Sequence, residues 1–326
     1  MDPERRIAEI HAQLLVRARL RREGVSDGAI VAELKSGAWV RIGNGCYVTQ
    51  SVWSNWWPEE RHIALALSAR YRATAHDPVF SHVTAAAMWG FPSFDLGREP
   101  VHDTLPWEAA SPAGGGKRRR RHRYELDRED VVDFGLLRCT SRERTLWDVA
   151  HVSTPEQAAV ILDGGVRDLF TNGASGAAEA WCAAQSERAL RDTGVRGERI
   201  AADRFAAVDH RAESAAESLS RLNLRRLGYD VESQVEVPGP KGVSYRIDFE
   251  FVGLGVFGEV DGVAKYTDAK LLPDQTSSQA VLAEKRREDW VRGVTRHRFV
   301  RWGFREARDA GLLGARLRAF GVYPQG

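Results

Sequence analysis

The sequence predicts a mixed α/β protein in three regions, residues 1–57, 58–208 and 209–326. Three observations predict it. Stretches with apolar residues three and four apart recur along the chain, the mark of amphipathic helices. Short alternating or apolar runs lie between them, bounded by Gly, Asn and Pro, as strands are. The length of 326 residues exceeds one ordinary domain and suits two or three.

Residues 3–22 read as one helix, with Ile7, Ile10, Leu14 and Leu15 at helical spacing. After a break at Glu23-Gly24-Val25, Ser26 is the candidate N-cap of a second helix, Asp27 to Lys35. The segment AWVRIGNGCYVTQ then reads as two strands about Gly43-Asn44-Gly45, residues that accept positive φ. Helix, turn, helix, hairpin is the order of a winged helix-turn-helix, with the second helix as groove reader and the hairpin as wing. Asp27, Ile30, Glu33 and Lys35 give that helix little positive charge. A fold-stabilising or dimerising head is therefore the competing reading.

In the α/β middle region, RHIALALSARYRA and SHVTAAAMWGFP are helices, the second stopped by Gly90 and Pro92. Tyr124 to Cys139 is strand-like. SRERTLWDVAHV is a helix with Ser141 as N-cap, and TPEQAAVILDGGVRDLF follows it. Residues 171–208 read as a loosely patterned helical connection. Before them, Lys117, Arg118, Arg119, Arg120 and Arg121, continued by His122 and Arg123, follow Ala113-Gly114-Gly115-Gly116. A basic run on a Gly-rich loop can shape itself to a charged backbone, so Lys117 to Arg121 and Arg123 are candidate nucleic-acid contacts.

Over the first 170 residues the motifs GVSDGAIVAELKSGAWVRIGNGCYV, SHVTAAAMWGFP and LLRCTSRERTLWDVA together resemble the AbiEi-type antitoxins of bacterial abortive-infection systems. The resemblance implies a DNA-binding winged-helix head followed by an α/β domain. In that family the head serves transcriptional control of a toxin operon.

From residue 209 the predicted order is α-β-β-β-α-β-α. AESAAESLSRLNLRRLG is a helix stopped by Gly228, with Ala215, Leu219, Leu222 and Leu227 near one face. YDVESQVEV, SYRIDFEFV and VFGEVDGV are strands, with a turn over Pro238 to Gly242. Ala280 to Gly293 is a helix, RHRFVRW a strand, and FREARDAGLLGARLRAF one final helix. Asp268 to Gln279 lacks apolar periodicity and reads as a mobile loop.

If Gly253-Leu254 is a two-residue turn, Val252 faces Gly255. Counting outward then sets Asp248 opposite Glu259 and Arg246 opposite Asp261. Opposed side chains have Cβ atoms ~5 Å apart. Ile247, Phe249 and Phe251 fall on the other, apolar face with Val256 and Val260. Opposed carboxylates repel, so such a face is either fully solvated or holds a cation. Mg²⁺, or Mn²⁺ in its place, is the natural candidate, because it takes oxygen ligands at ~2.1 Å and activates water for phosphodiester attack. The Val260 carbonyl lies between the two carboxylate positions as a third candidate ligand, and Glu217 on the preceding helix is a fourth.

This order and the string IDF…GEVDGVAKY resemble the PD-(D/E)XK nuclease superfamily, most of all its DUF559-type branch, related to very-short-patch repair endonucleases. The resemblance covers about residues 209–305. It implies a restriction-endonuclease-like α-β-β-β-α-β core and DNA cleavage, with Asp248 as the motif aspartate, Glu259 as the motif acid and Glu217 as the acid of the first helix. The pattern wants Lys two residues after the acid, where this chain has Asp261. Lys265 and Lys285 are the candidates for its work.

The hydrophobic content of 43% suffices for real cores. No stretch nears the ~18 apolar residues that span a bilayer, and the N-terminus lacks a signal-peptide pattern. Cys46, Cys139 and Cys182 form neither a disulfide framework nor a zinc cluster, which fits a reducing compartment. A cytoplasmic protein acting on DNA is expected, away from membranes. A homodimer and a toxin or defence-system operon partner are the associations it would admit. The expected function is metal-dependent endonuclease, and the alternative is a non-catalytic regulator of antitoxin type.

Overall fold

Asp2 accepts from the Glu4 N–H and Pro3 stands at the first helical position, so the chain opens on a capped helix, α1, Pro3–Ala12. The computed structural model of the protein describes residues 2–71, 77–105, 118–174, 176–191, 197–261 and 277–325, with side chains from Leu282 in the last segment. It is a mixed α/β structure. The chain divides between Val208 and Asp209 into two compact units.

The first unit begins with a correction. Residues 3–22 are not one helix. Leu15–Val16 is a short strand, β1, and Arg17–Arg22 forms α2. The backbone turns extended there to pair with the hairpin, Leu15 against Tyr47 and Val16 against Cys46. The next helix, α3, is Asp27–Lys35, and the Ser26 hydroxyl accepts the Ala29 N–H at 3.1 Å. Strands β2, Trp39–Gly43, and β3, Cys46–Thr49, are antiparallel, and Gly45 takes φ 71° at their turn. Helix α4, Gln50–Asn55, follows.

A five-stranded mixed sheet comes next. Its strands are β4 (Val79–Phe80), β5 (Val101–Leu105), β6 (Arg119–Arg123), β7 (Val131–Asp133) and β8 (Arg138–Thr140), in the order β6-β5-β4-β8-β7. The helices around it are α5 (Pro58–Tyr71), α6 (His82–Trp89), α7 (Arg142–Val152), α8 (Pro155–Leu169), α9 (Ala177–Arg191) and α10 (Glu198–Ala206). Two expectations change here. The stretch from Tyr124 to Cys139 is not one strand, because a 3-10 turn at Arg128–Asp130 and the Gly135 turn split it. Residues 171–208 are more than a connector, since Ala178, Cys182, Ala189, Ala201, Ala202 and Phe205 join the core. Ile7, Ile10, Leu14, Ile42 and Val48 belong to that same cluster. The three cysteines are free and buried.

In the second unit, α11 (Ala215–Arg226) leads to β9 (Val231–Pro238), β10 (Ser244–Phe251) and β11 (Val256–Asp261). Then follow α12 (Ser277–Thr295), β12 (Arg298–Gly303), α13 (Phe304–Ala307) and α14 (Ala310–Ala319). The sheet order is β12-β11-β10-β9. The pair β11–β12 is parallel and the others antiparallel, so the chain must cross over between Asp261 and Arg298, and α12 lies in that crossover. The final segment is two helices rather than one, because the Asp309 carboxylate caps the Leu312 N–H and starts α14 afresh. The inner face of α11 centres on Ala216, Leu219 and Leu224 rather than on Ala215 and Leu222.

Trp302 of β12 stacks on Phe249 of β10, ring centres 6.0 Å apart. Its indole fills the space over Gly258, where an added Cβ would lie 2.4 Å from the ring. That tight contact fixes β11 immediately before Glu259.

Candidate functional site

The hairpin β10–β11 pairs Phe249 with Gly258, Glu250 with Phe257 and Phe251 with Val256. The turn between them is four residues, Val252 to Gly255, with Gly253 at φ 73° and Gly255 at φ 59°. A two-residue turn is thus overturned, but both turns share one centre and therefore one register. One step beyond the last pair stand Asp248 and Glu259.

At that step the ladder ends. The Val260 N–H donates to Asp248 Oδ2 at 2.8 Å, so a carboxylate takes the place of a strand carbonyl. The local parting of the strands also corrects the expected faces. Phe249 and Phe251 pack with Val256, Val300 and Trp302, whereas Ile247 joins Phe257, Phe299, Val291 and Val237.

The Glu259 side chain is 12% exposed, and both its oxygens are engaged by arginine. Arg287 of α12 donates to Oε1 at 2.5 Å, and Arg301, its neighbour on β12, reaches Oε2 at 2.7 Å. Glu284 on α12 pairs with both guanidiniums, and Glu288 pairs with Arg301 and with Arg292. The Arg287 hydrogen bond holds the Glu284 carboxyl down at about 2, and Glu284 and Glu259 push Arg287 upward.

Glu217 sits at the start of α11, 8% exposed. Its carboxylate accepts from Ser214 Oγ at 2.8 Å, from the Glu213 N–H at 2.9 Å and from Gln234 Nε2 at 2.7 Å. Gln234 takes φ 55° where the β9–β10 ladder skips the position beside Asp248. Glu217 thus bonds to the residue that stands opposite Asp248 in the skipped step of the ladder.

The remaining candidates lie apart. Asp261 is exposed at the end of β11, paired in register with Gly303. Arg246 does not face it, but bonds to Glu213. Lys285 is exposed on α12, and the α12 side chain that reaches Glu259 is Arg287. Lys265, and Asp268 to Thr276 of the expected loop, lie outside the described residues. The last part of that loop, Ser277 to Gln279, is the start of α12.

Lys117 and the Gly-rich stretch before it also lie outside the described residues. The rest of the basic run corrects the loop expectation, because Arg119 to Arg123 form β6 at the edge of the five-stranded sheet, parallel to β5. Arg119 grips Asp103 with two bonds, 2.6 and 2.7 Å, and Arg121 approaches the same carboxylate at 4.0 Å. Arg118 and Arg120 are exposed, and Arg123 is half-buried.

Sequence reasoning missed Arg287 and Glu284, in the charged run EKRRED of α12, and Arg301 of β12, which no motif marks. It also missed a cluster in the first unit, His82, His102 and His122, whose ring nitrogens converge within 4.8 Å. Their even spacing of twenty residues matches no ligand motif, and only the fold joins them.

The chain matches no known family model, and no curated protein matches it. Among the described residues, no helix is long and apolar enough to cross a membrane.

Proposed function

We propose that this protein is a metal-dependent DNA endonuclease that hydrolyses phosphodiester bonds in its C-terminal unit, with DNA contacts from a winged-helix head. The observation that carries the reading is the placement of Asp248 and Glu259 one step past the last β10–β11 pair, with the Asp248 carboxylate between the parting strands.

The donor set fits a hard divalent ion, Mg²⁺ or Mn²⁺, since every candidate ligand is oxygen. Asp248, Glu259 and the Val260 carbonyl would hold it. Such an ion supplies an activated water and offsets charge on the attacked phosphodiester.

The chain's own residues do the rest. Val260 orients Asp248, and Arg287 and Arg301 orient Glu259. Guanidinium is planar, permanently charged and well matched to phosphate oxygens. In this chain the two arginines carry the positive charge that the motif lysine would bring. They do not act as a base, because guanidinium does not give up its proton near neutral pH.

The test is cleavage of supercoiled, linear and single-stranded DNA with Mg²⁺, Mn²⁺ or a chelator, beside Asp248→Ala and Glu259→Ala. Metal-dependent cutting that both variants lose is expected. Cutting unchanged in both variants, or none in any metal, overturns the proposal.

The ion pairs on both oxygens of Glu259 favour a second reading. A non-catalytic DNA-binding regulator of antitoxin type would keep those pairs permanently. It would bind duplex DNA in a salt-sensitive way and cut nothing.

A further inference from the structure

Three histidines from separate elements meet inside the first unit. His82 opens α6, His102 is in β5 and His122 is in β6. His82 and His102 are 0% and 3% exposed, and His122 is half-buried. His122 Nε2 lies 3.1 Å from His102 Nδ1, and the His122 ring stacks on His82 at 3.7 Å.

The outer nitrogens are already oriented. His82 Nδ1 is engaged by Ser81 Oγ at 2.9 Å and faces Asp148 Oδ2 at 3.9 Å. His102 Nε2 faces Glu99 Oε2 at 3.7 Å. An imidazole that ligates through one nitrogen and meets a carboxylate or hydroxyl through the other is the usual build of a histidine metal site.

A buried polar atom without a hydrogen-bond partner stands at this point, His82 Nε2, the inner nitrogen of that ring. Such atoms are rare in folded proteins, and each calls for a cause. Backbone strain gathers here too. His82 holds φ 53°, a left-handed conformation uncommon outside glycine. Ser81, the N-cap of α6, makes no cap bond, and its hydroxyl instead meets His82 and accepts from Thr104. The local structure gives up a helix cap and a relaxed backbone to aim one imidazole inward.

We propose that His82, His102 and His122 bind a late first-row divalent metal ion of the zinc class, which clips the edge strand β6 to β5 and to α6. Three neutral imidazoles suit zinc and its neighbours and not Mg²⁺. His102 Nδ1 and His122 Nε2 now share one hydrogen bond, which the ion would replace. Tetrahedral donors at about 2.1 Å from zinc stand about 3.4 Å apart; the three ring nitrogens lie within 4.8 Å of one another, and the stacked His82 and His122 rings would turn toward a common point to close the site. The ion would anchor the strand that carries Arg119 to Arg123. This site is independent of the acid pair in the second unit, and its test does not depend on nuclease activity.

The experiment uses the untagged full-length chain. Metal content is measured after dialysis against zinc and desalting, and Co²⁺ substitution reports geometry through its visible absorption. One zinc per chain and a tetrahedral cobalt spectrum are expected. Zinc affinity should fall at least tenfold in His122→Ala, whose side chain is the least buried of the three, and stay unchanged in His297→Ala. Less than a tenth of an equivalent of zinc on the wild-type chain overturns the proposal. So does wild-type affinity in both His122→Ala and His82→Ala.

Discussion

Arg287 donates to Glu259 Oε1 at 2.5 Å across twenty-eight residues of sequence, and so ties helix α12 to the strand that bears the candidate catalytic acid. The same guanidinium donates twice to Glu284, and Arg301 reaches Glu259, Glu284 and Glu288. The acid of the site is thus held in a charged network.

That network should fail in acid. The Glu284 carboxyl lies at about 2, below its ordinary 4.5, because Arg287 hydrogen-bonds to it. A depressed acid contributes stability above its unfolded value and loses it as pH falls through the folded value. Unfolding of the wild type should therefore ease between pH 4.5 and 2, and Glu284→Gln should remove part of that slope. The side chain is 42% exposed, so added salt should shrink the effect. Denaturant melts across pH and salt check it.

Arginines on one strand should behave differently. Arg119 caps Asp103, whose side chain is 0% exposed. Arg119→Ala leaves that carboxylate buried and should cost about 3 kcal/mol in urea unfolding. Arg120 is exposed, so Arg120→Ala should hardly change stability. It should weaken DNA binding and lower the salt slope by about 1 if β6 meets phosphates. An unchanged slope would remove β6 from the DNA contacts.

Gly258→Ala should destabilise the second unit by about 1–3 kcal/mol, the cost of overpacking. Its Cβ would meet Trp302 at 2.4 Å and Phe251 at 3.1 Å. Thermal melts measure the loss. A variant as stable as the wild type would mean that Trp302 moves aside freely.

The acid pair is legible in the sequence because the Gly253-Leu254 centre sets one register for either turn length. Ser26, Ser141 and the strand alternation after Tyr229 mark their elements through local chemistry, which sequence carries well. What is illegible depends on the fold. Arg287 stands in the charged run EKRRED and Arg301 in RHRFVRW, with no motif that marks either, and only the crossover helix and the parallel pairing of β11 with β12 bring them to Glu259. His82, His102 and His122 come from three elements with no common motif. Arg119 to Arg123 follow a Gly-rich stretch and look like loop, yet pairing with β5 makes them a strand. Leu15 and Val16 fit a helical period, and the hairpin edge draws them into a strand instead.

The central claim rests on Asp248, and Asp248→Asn tests it most directly. The amide oxygen still accepts the Val260 N–H, so unfolding should stay close to wild type. The lost charge removes the ligand that a divalent ion needs, so metal-dependent DNA cleavage should fall to background. Cleavage at the wild-type rate by a folded Asp248→Asn protein would contradict the account.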